Sequence, residues 1–224
     1  LISIITADSS EYLQTLDDNS IDGILTDPPY GLGDCSPKQV RECLKAWGRG
    51  EEWSAKGKGF MGKEWDNWVP PPSFWAELLR VVKPGGHCLV FCGTRTIDLM
   101  GISLRLGGWE IRDSLYNWVY GSGFPKSHSV DKALDKLAGA EREIIGEMEL
   151  QGTAKTLSGG NYGGGGENKT VVDSIKLTAP SSPLAKKFKG YGSALKPAVE
   201  PIILARKPLE GTIAENVSKW GTGG

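Results

Sequence analysis

Histidine is nearly missing from this chain, with two in 224 residues. The four cysteines, at positions 35, 43, 88 and 92, show no Cys-x-x-Cys pairing. The side chains that build zinc sites and disulfide frameworks are therefore too few and too scattered, and neither is expected. No apolar run approaches the roughly 20 residues a membrane helix needs, and nothing has the layout of a signal peptide, so a soluble, cytoplasmic protein is expected. An excess of either charge is lacking too. With 26 Lys and Arg against 27 Asp and Glu the formal net charge is -1, so any surface for a polyanion has to be local. What the chain does have is enough length and apolar content, 39%, for one sizeable domain with an insertion. Its 31 glycines cluster locally and mark loops.

The stretch Thr26-Asp27-Pro28-Pro29-Tyr30-Gly31 follows an apolar run, residues 21–25, that reads as a buried strand. Two successive prolines remove two backbone donors and fix two φ angles, which makes a stiff, extended turn. In such a turn the Pro28 carbonyl has no ladder partner and the Asp27 carboxylate stands beside it. A planar amine on an aromatic ring would present two N–H donors to these acceptors, and Tyr30 offers a flat face for the ring. Taken by itself the tetrapeptide also reads as a rigid loop.

Asp27-Pro28-Pro29-Tyr30 is, however, the signature of the DNA methyltransferases that modify adenine at N6 or cytosine at N4, and the chain resembles that family in further segments. These are Ala7-Asp8-Ser9 followed by Leu13 and Leu16, the phrase Arg80-Val-Val-Lys-Pro-Gly-Gly-His-Cys-Leu-Val-Phe91, Asn117-Trp118-Val119-Tyr120 with the glycines after it, and Glu200-Pro-Ile-Ile-Leu204. The resemblance implies an α/β fold with a Rossmann-like S-adenosylmethionine-dependent methyltransferase sheet, in the β-type order in which this motif comes first, from a phage or bacterium. It implies Asp27, Pro28, Pro29 and Tyr30 as catalytic residues. Asp8 and Asp27 would lie near the cofactor S-adenosylmethionine, with Gly93 and Thr94 lining the same edge. Tyr30, Trp118 and Tyr120 would enclose the target base, and Lys196 and Glu200 would stand at the site edge or close a salt-bridged strand end. The partners expected are double-stranded DNA and a second copy in a homodimer; no metal and no membrane is expected. Methylation for restriction-modification, for phage self-protection or for regulation fits the pattern equally.

The reaction implied is direct methyl transfer to the exocyclic amine of a flipped adenine. Cytosine N4 is the alternative, set second because members acting there more often carry Ser where Asp27 stands. A protein glutamine is less expected, since its relatives typically show Asn-Pro-Pro-Tyr. The family's glycine-rich cofactor motif is not found, and in this subgroup it follows the last segments named above. The fold is thus expected to be incomplete at its C-terminal end, the chain to be a fragment, and a non-catalytic DNA-binding subunit to be a further alternative.

Organisation follows composition. Residues 1–120 are expected to form the catalytic core, 121–190 an irregular insertion suited to target recognition, and 191–224 a return strand and the start of a missing part. Strands are expected at 1–6, 21–25, 87–93 and 109–120, the last pairing with 200–204, and helices at 11–16, 73–82, 96–106 and 129–137. In open α/β sheets ligands bind beyond the carboxyl ends of strands, where Asp8 and Asp27 both fall; Asp8 reads equally as a helix cap. Residues 31–72 read as a long irregular loop with Trp47, Trp53, Trp65 and Trp68, in which Lys63 and 65–68 are the part expected to order over DNA. Residues 158–166 read as flexible. Lys186 and Lys187 lie in an acid-free stretch, 176–189, that reads as a DNA-backbone contact or a solvated loop.

Overall fold

The computed structural model describes residues 2–33, 35–55, 64–121, 127–149, 156–158, 169–171, 174–195 and 198–224. The chain divides into two compact units, Leu1–Val119 with Val199–Gly224, and Tyr120–Ala198. Among the described residues it forms eight strands and seven helices, numbered in chain order.

The first unit is built on a four-stranded mixed sheet. Its strands are β1 (Ile21–Thr26), β2 (Val82–Phe91), β3 (Glu110–Val119) and β8 (Val199–Arg206), in the order β1-β2-β8-β3. β1 runs parallel to β2, with Thr26 opposite Val90, and β8 runs antiparallel to both β2 and β3. The α/β class expected from the sequence is the class observed, and β3 pairs with the Glu-Pro-Ile-Ile-Leu strand as expected. β2 is central, with Val82, Cys88 and Val90 fully buried.

Helices α3 (Pro72–Val81) and α4 (Ile97–Leu106) pack their apolar stripes into the core. In α3, Trp75, Leu78 and Val81 face inward; in α4, Leu99, Met100 and Leu104 do. Each fully buried aliphatic side chain contributes about 1.5–3 kcal/mol. The Trp109 indole N–H donates to the Trp75 carbonyl at 2.9 Å and ties α3 to the start of β3. Gly107 is required where the chain leaves α4, because a Cβ there would lie 2.6 Å from the Trp75 Cβ.

Three expectations for this unit are corrected. Residues 2–6 are not a strand: they make no ladder, and Ile2 and Ile4 are each more than nine-tenths exposed. A β-branched run marks strand propensity, but a strand needs a neighbour, and β1 is the sheet edge with nothing paired to its outer side among the described residues. For the same reason β1 is not a buried strand, and Leu25 is 69% exposed. The interval 31–72 is not one irregular loop either. It contains α2 (Pro37–Trp47), opened by a capping box in which the Ser36 hydroxyl accepts from the Gln39 N–H and the Gln39 side chain accepts from the Ser36 N–H. Pro at the first turn and an inward face of Cys43, Ala46 and Trp47 complete a helix start and stripe that were present in the sequence.

α1 (Ser9–Leu13) is fastened by Arg80, whose guanidinium donates to the carbonyls of Leu13 and Leu16 at 2.9 and 3.0 Å and pairs with Asp18. At the same end of the sheet, α7 (Ile213–Trp220) carries the buried Asn216, whose amide N–H groups donate to the carbonyls of Pro84 and Thr222. A Cβ on Gly85, which has φ +78°, would lie 2.5 Å from that amide nitrogen. The Lys-Pro-Gly-Gly segment is therefore a packing joint at the start of β2.

The second unit holds α5 (Val130–Leu137), β4 (Ile144–Glu149), β5 (Thr156–Ser158), β6 (Lys169–Val171), β7 (Ser174–Thr178) and α6 (Pro183–Lys187). β4 pairs with β7 and β5 with β6, both antiparallel. Its organising group is Arg142, which pairs with Asp135 at 2.5 Å and Asp131 at 2.9 Å and donates to the Thr178 hydroxyl at 2.9 Å. Asp135 also accepts the N–H groups of Ser181 and Ser182, so one buried carboxylate joins α5 to the start of α6. Burial alone would raise its carboxyl; the N–H groups of Ser182 and Ser181, the Ser182 hydroxyl and the guanidinium outweigh that and hold it at about 2. Most of the glycine-rich stretch 158–166, together with Lys63 and Lys196, lies outside the described residues.

Candidate active site

Thr26 ends β1, and the chain turns through Asp27-Pro28-Pro29-Tyr30 at the carboxyl end of the parallel pair. Asp27 is exposed, Pro28 buried, and Pro29 and Tyr30 half-buried. Among the described residues the Pro28 carbonyl receives no hydrogen bond, whereas the backbone just after it is held from three places. The N–H groups of Tyr30 and Gly31 donate to Asp66 Oδ1 at 2.9 and 3.2 Å. The Thr96 hydroxyl donates to the Tyr30 carbonyl at 2.6 Å. Arg95 donates to the carbonyls of Leu32 and Gly33 at 3.0 Å each. Gly31 has φ +66°, and a Cβ there would come within 2.9 Å of the Val69 nitrogen, so the segment after Asp66 packs directly on the loop.

Tyr30 lies against Gly93, where an added Cβ would sit 3.5 Å from its ring. Burial raises the Tyr30 phenol, and a hydrogen bond to the Asp27 carboxylate raises it further, as does the negative charge of Glu200. The phenol therefore stays protonated and acts as a donor. Glu200 stands opposite Trp118 across the β8–β3 ladder. Trp118 is 61% exposed, with its ring 6.5 Å from that of Phe91. The sheet thus brings Tyr30, Glu200 and Trp118 to one end. Tyr120 belongs to the second unit, where its N–H donates to the Ala198 carbonyl. Thr94 is exposed in the turn before α4 and makes no hydrogen bond to the loop among the described residues; Thr96, two residues on, makes it instead.

On the Pro29 side lies a cavity of about 610 Å³ whose lining includes Ser9, Ser10, Pro29, Trp53, Trp65 and Phe74. Asp8, just before it, caps α1 by accepting the N–H groups of Ser10 and Glu11 at 2.8 and 3.4 Å. Trp47 and Trp68 are core residues, Trp53 packs against Trp68 with ring centroids 4.7 Å apart, and Trp65 is 67% exposed. The volume falls in the range of small-molecule pockets. Indole and phenyl walls with serine hydroxyls suit a flat heterocycle such as adenine, and the carboxylates of Glu52 and Glu77 in the lining suit a cationic centre, so these residues fit an adenosyl sulfonium. No group of three or more His, Cys, Asp or Glu placed to hold a metal occurs among the described residues, and no helix among them is long and apolar enough to cross a membrane.

Asp66, Thr96 and Arg95 were not expected from the sequence. Asp66 sits in Glu-Trp-Asp-Asn-Trp, a cluster whose indoles draw attention away from the acid. Thr96 stands just before an apolar helical run, where a hydroxyl reads as a cap, yet it makes no side-chain cap and turns to the loop.

No protein-family model matches the chain, and no curated protein does. Solved structures that resemble it include M1.HpyAVI in complex with SAM, at 14% identity and a TM-score of 0.40, over 95% of this chain and 57% of that one. TTHA0409 of Thermus thermophilus, which carries a provisional name as a DNA modification methylase, matches at 15% identity and a TM-score of 0.38, over 95% and 58%. The chain spans a little over half the length of these proteins.

Proposed function

We propose that this chain acts as a DNA methyltransferase that transfers a methyl group to an exocyclic amine, adenine N6 ahead of cytosine N4. The observation that carries the reading is the pair of acceptors at the end of β1. The Asp27 carboxylate is exposed and the Pro28 carbonyl has no donor among the described residues, in a loop whose following backbone groups are engaged. An amine on an aromatic ring is a poor nucleophile because its lone pair is delocalised into the ring. Acceptors for both N–H groups, fixed before the substrate arrives, draw that lone pair out of conjugation and stabilise the positive charge that develops on nitrogen. S-adenosylmethionine supplies an electrophilic methyl group, and no covalent intermediate on the protein is needed.

In this reading Tyr30 gives the base a face and, through its phenol, holds the Asp27 carboxylate in place until the amine replaces it. Trp118 supplies a second aromatic at the same sheet end, as an extruded base requires. The cavity beside Pro29, lined by Ser9 and Ser10 just after Asp8, receives the heterocycle of the methyl donor. The target is double-stranded DNA, and the exposed Lys186, Lys187 and Lys189 at the end of α6 contact its phosphates. The test is transfer of labelled methyl groups from S-adenosylmethionine to duplex DNA. Asp27→Ala is expected to abolish it with an unchanged circular dichroism spectrum and melting midpoint; full activity in that variant would reject the reading.

A further inference from the structure

The loop that carries Asp27 cannot anchor itself. Pro28 and Pro29 have no N–H, so the first two backbone donors after Asp27 are those of Tyr30 and Gly31. Both go to the same atom, Oδ1 of Asp66, at 2.9 and 3.2 Å. Asp66 is 4% exposed, lies 36 residues further along the chain, and closes a short 3-10 turn, Glu64–Asp66. The residues that follow it are fixed in turn: Trp68 is in the core with its indole N–H on Cys43 Sγ, and Val69 lies under Gly31. A buried carboxylate that takes both available donors of a two-proline turn sets the peptide planes on the downstream side, as Thr96 does through the Tyr30 carbonyl.

We infer that Asp66 is a positioning residue: it does not touch the amine, and it holds the turn so that the Pro28 carbonyl and the Asp27 carboxylate bear on one point. The inference rests on the proposed methyl transfer for its purpose, and on the two hydrogen bonds for its geometry. Because one oxygen accepts both bonds, what the turn requires is an acceptor at that point; the carboxylate charge strengthens each bond and is not needed to form it. An asparagine at this position can present its amide oxygen in the same place, and an alanine cannot.

The experiment compares the wild-type chain, Asp66→Asn and Asp66→Ala by hydrogen exchange of the backbone amides of Tyr30 and Gly31 and by steady-state methyl transfer. In the wild type both amides are expected to be protected. In Asp66→Ala their exchange is expected to quicken by about tenfold or more while α3 and α4 stay protected, and in Asp66→Asn to stay within about threefold of wild type. Methyl transfer by Asp66→Ala is expected to fall about a hundredfold in kcat, as for a reacting group misplaced by about an ångström. KM for DNA is expected to hold within about threefold, and Asp66→Asn to restore kcat. Unprotected amides in the wild type, unchanged exchange in Asp66→Ala, loss of protection in Asp66→Asn, or a loss confined to KM would each overturn the inference. If Asp66→Ala does not fold, the wild type and Asp66→Asn decide by the same criteria. A wild-type chain with protected amides and no methyl transfer would reject the proposed activity and leave the role of Asp66 in the turn standing.

Discussion

Asp27 and Asp66 share a side chain and differ in setting, and the setting decides what each can do. Asp27 is exposed at the end of a strand with acceptor capacity to spare; Asp66 is buried and already holds two donors. The first was legible in the sequence because the prolines after it fix a local shape. The second was not, because its partners lie 35 and 36 residues away and nothing local marks an acid that serves a distant backbone. The cysteines make a similar contrast between reactive and inert. Burial pushes the thiols of Cys88 and Cys92 up to about 12 and that of Cys43 up to about 11. A thiol so far above neutral pH supplies almost no thiolate. Burial raises the Cys35 thiol as well, but Cys35 is only half-buried while the other three are fully covered, so native protein treated with a disulfide reagent at neutral pH is expected to label at Cys35 alone, and slowly, with the other three reacting only after unfolding. Fast labelling of Cys88 or Cys92 in the native state would show that the centre of the sheet is open.

At the scale of elements, the Arg142 cluster makes the acid stability of the second unit predictable in sign. The Asp135 carboxyl is lowered on folding from an ordinary value near 3.8 to about 2. Its contribution is therefore fully present above about pH 4 and lost as pH falls through about 2. The α5, β7 and α6 assembly is expected to hold from neutral pH to about 4 and to melt between about 4 and 2. In Asp135→Asn that acid-dependent step should shrink; an unchanged pH profile would mean the carboxylate is not what couples α5 to α6. Elements were legible where amphipathic period and punctuation agree. α3 and α4 declare themselves by inward residues at helical spacing and by Gly or Lys-Pro at their ends. α2 carried the same marks, Ser36, Pro37 and Gln39 ahead of an apolar face, and was hidden by the irregular sequence on either side. Residues 2–6 show the opposite failure: apolar, β-branched residues announce a strand, and here they pair with no neighbour.

Across the whole molecule the near-zero net charge conceals an unequal division. Residues 120–198 carry eleven Lys and Arg against eight Asp and Glu, and the rest of the chain fifteen against nineteen. Within the second unit the acids of α5 are turned inward to Arg142, while Lys132 and Lys136 of the same helix and Lys186, Lys187 and Lys189 beyond it are exposed and make no ion pair among the described residues. If these lysines meet phosphate, binding to duplex DNA should weaken steeply with salt, and removing Lys186 and Lys187 together should lower the slope of log affinity against log salt by about two. An unchanged slope would assign the face to solvent.

The proposed function, built on Asp27, a Pro28 carbonyl that receives no hydrogen bond among the described residues and the aromatic faces of Tyr30 and Trp118, comes to a single chemical statement, that a methyl group is placed on an amine outside a base ring. The measurement that tests it most directly is chromatographic identification of the methylated nucleoside after the chain has been incubated with labelled S-adenosylmethionine and duplex DNA. The expected result is label in N6-methyldeoxyadenosine, lost in Asp27→Ala. Label on a ring carbon, label in protein, or no transfer at all would contradict it.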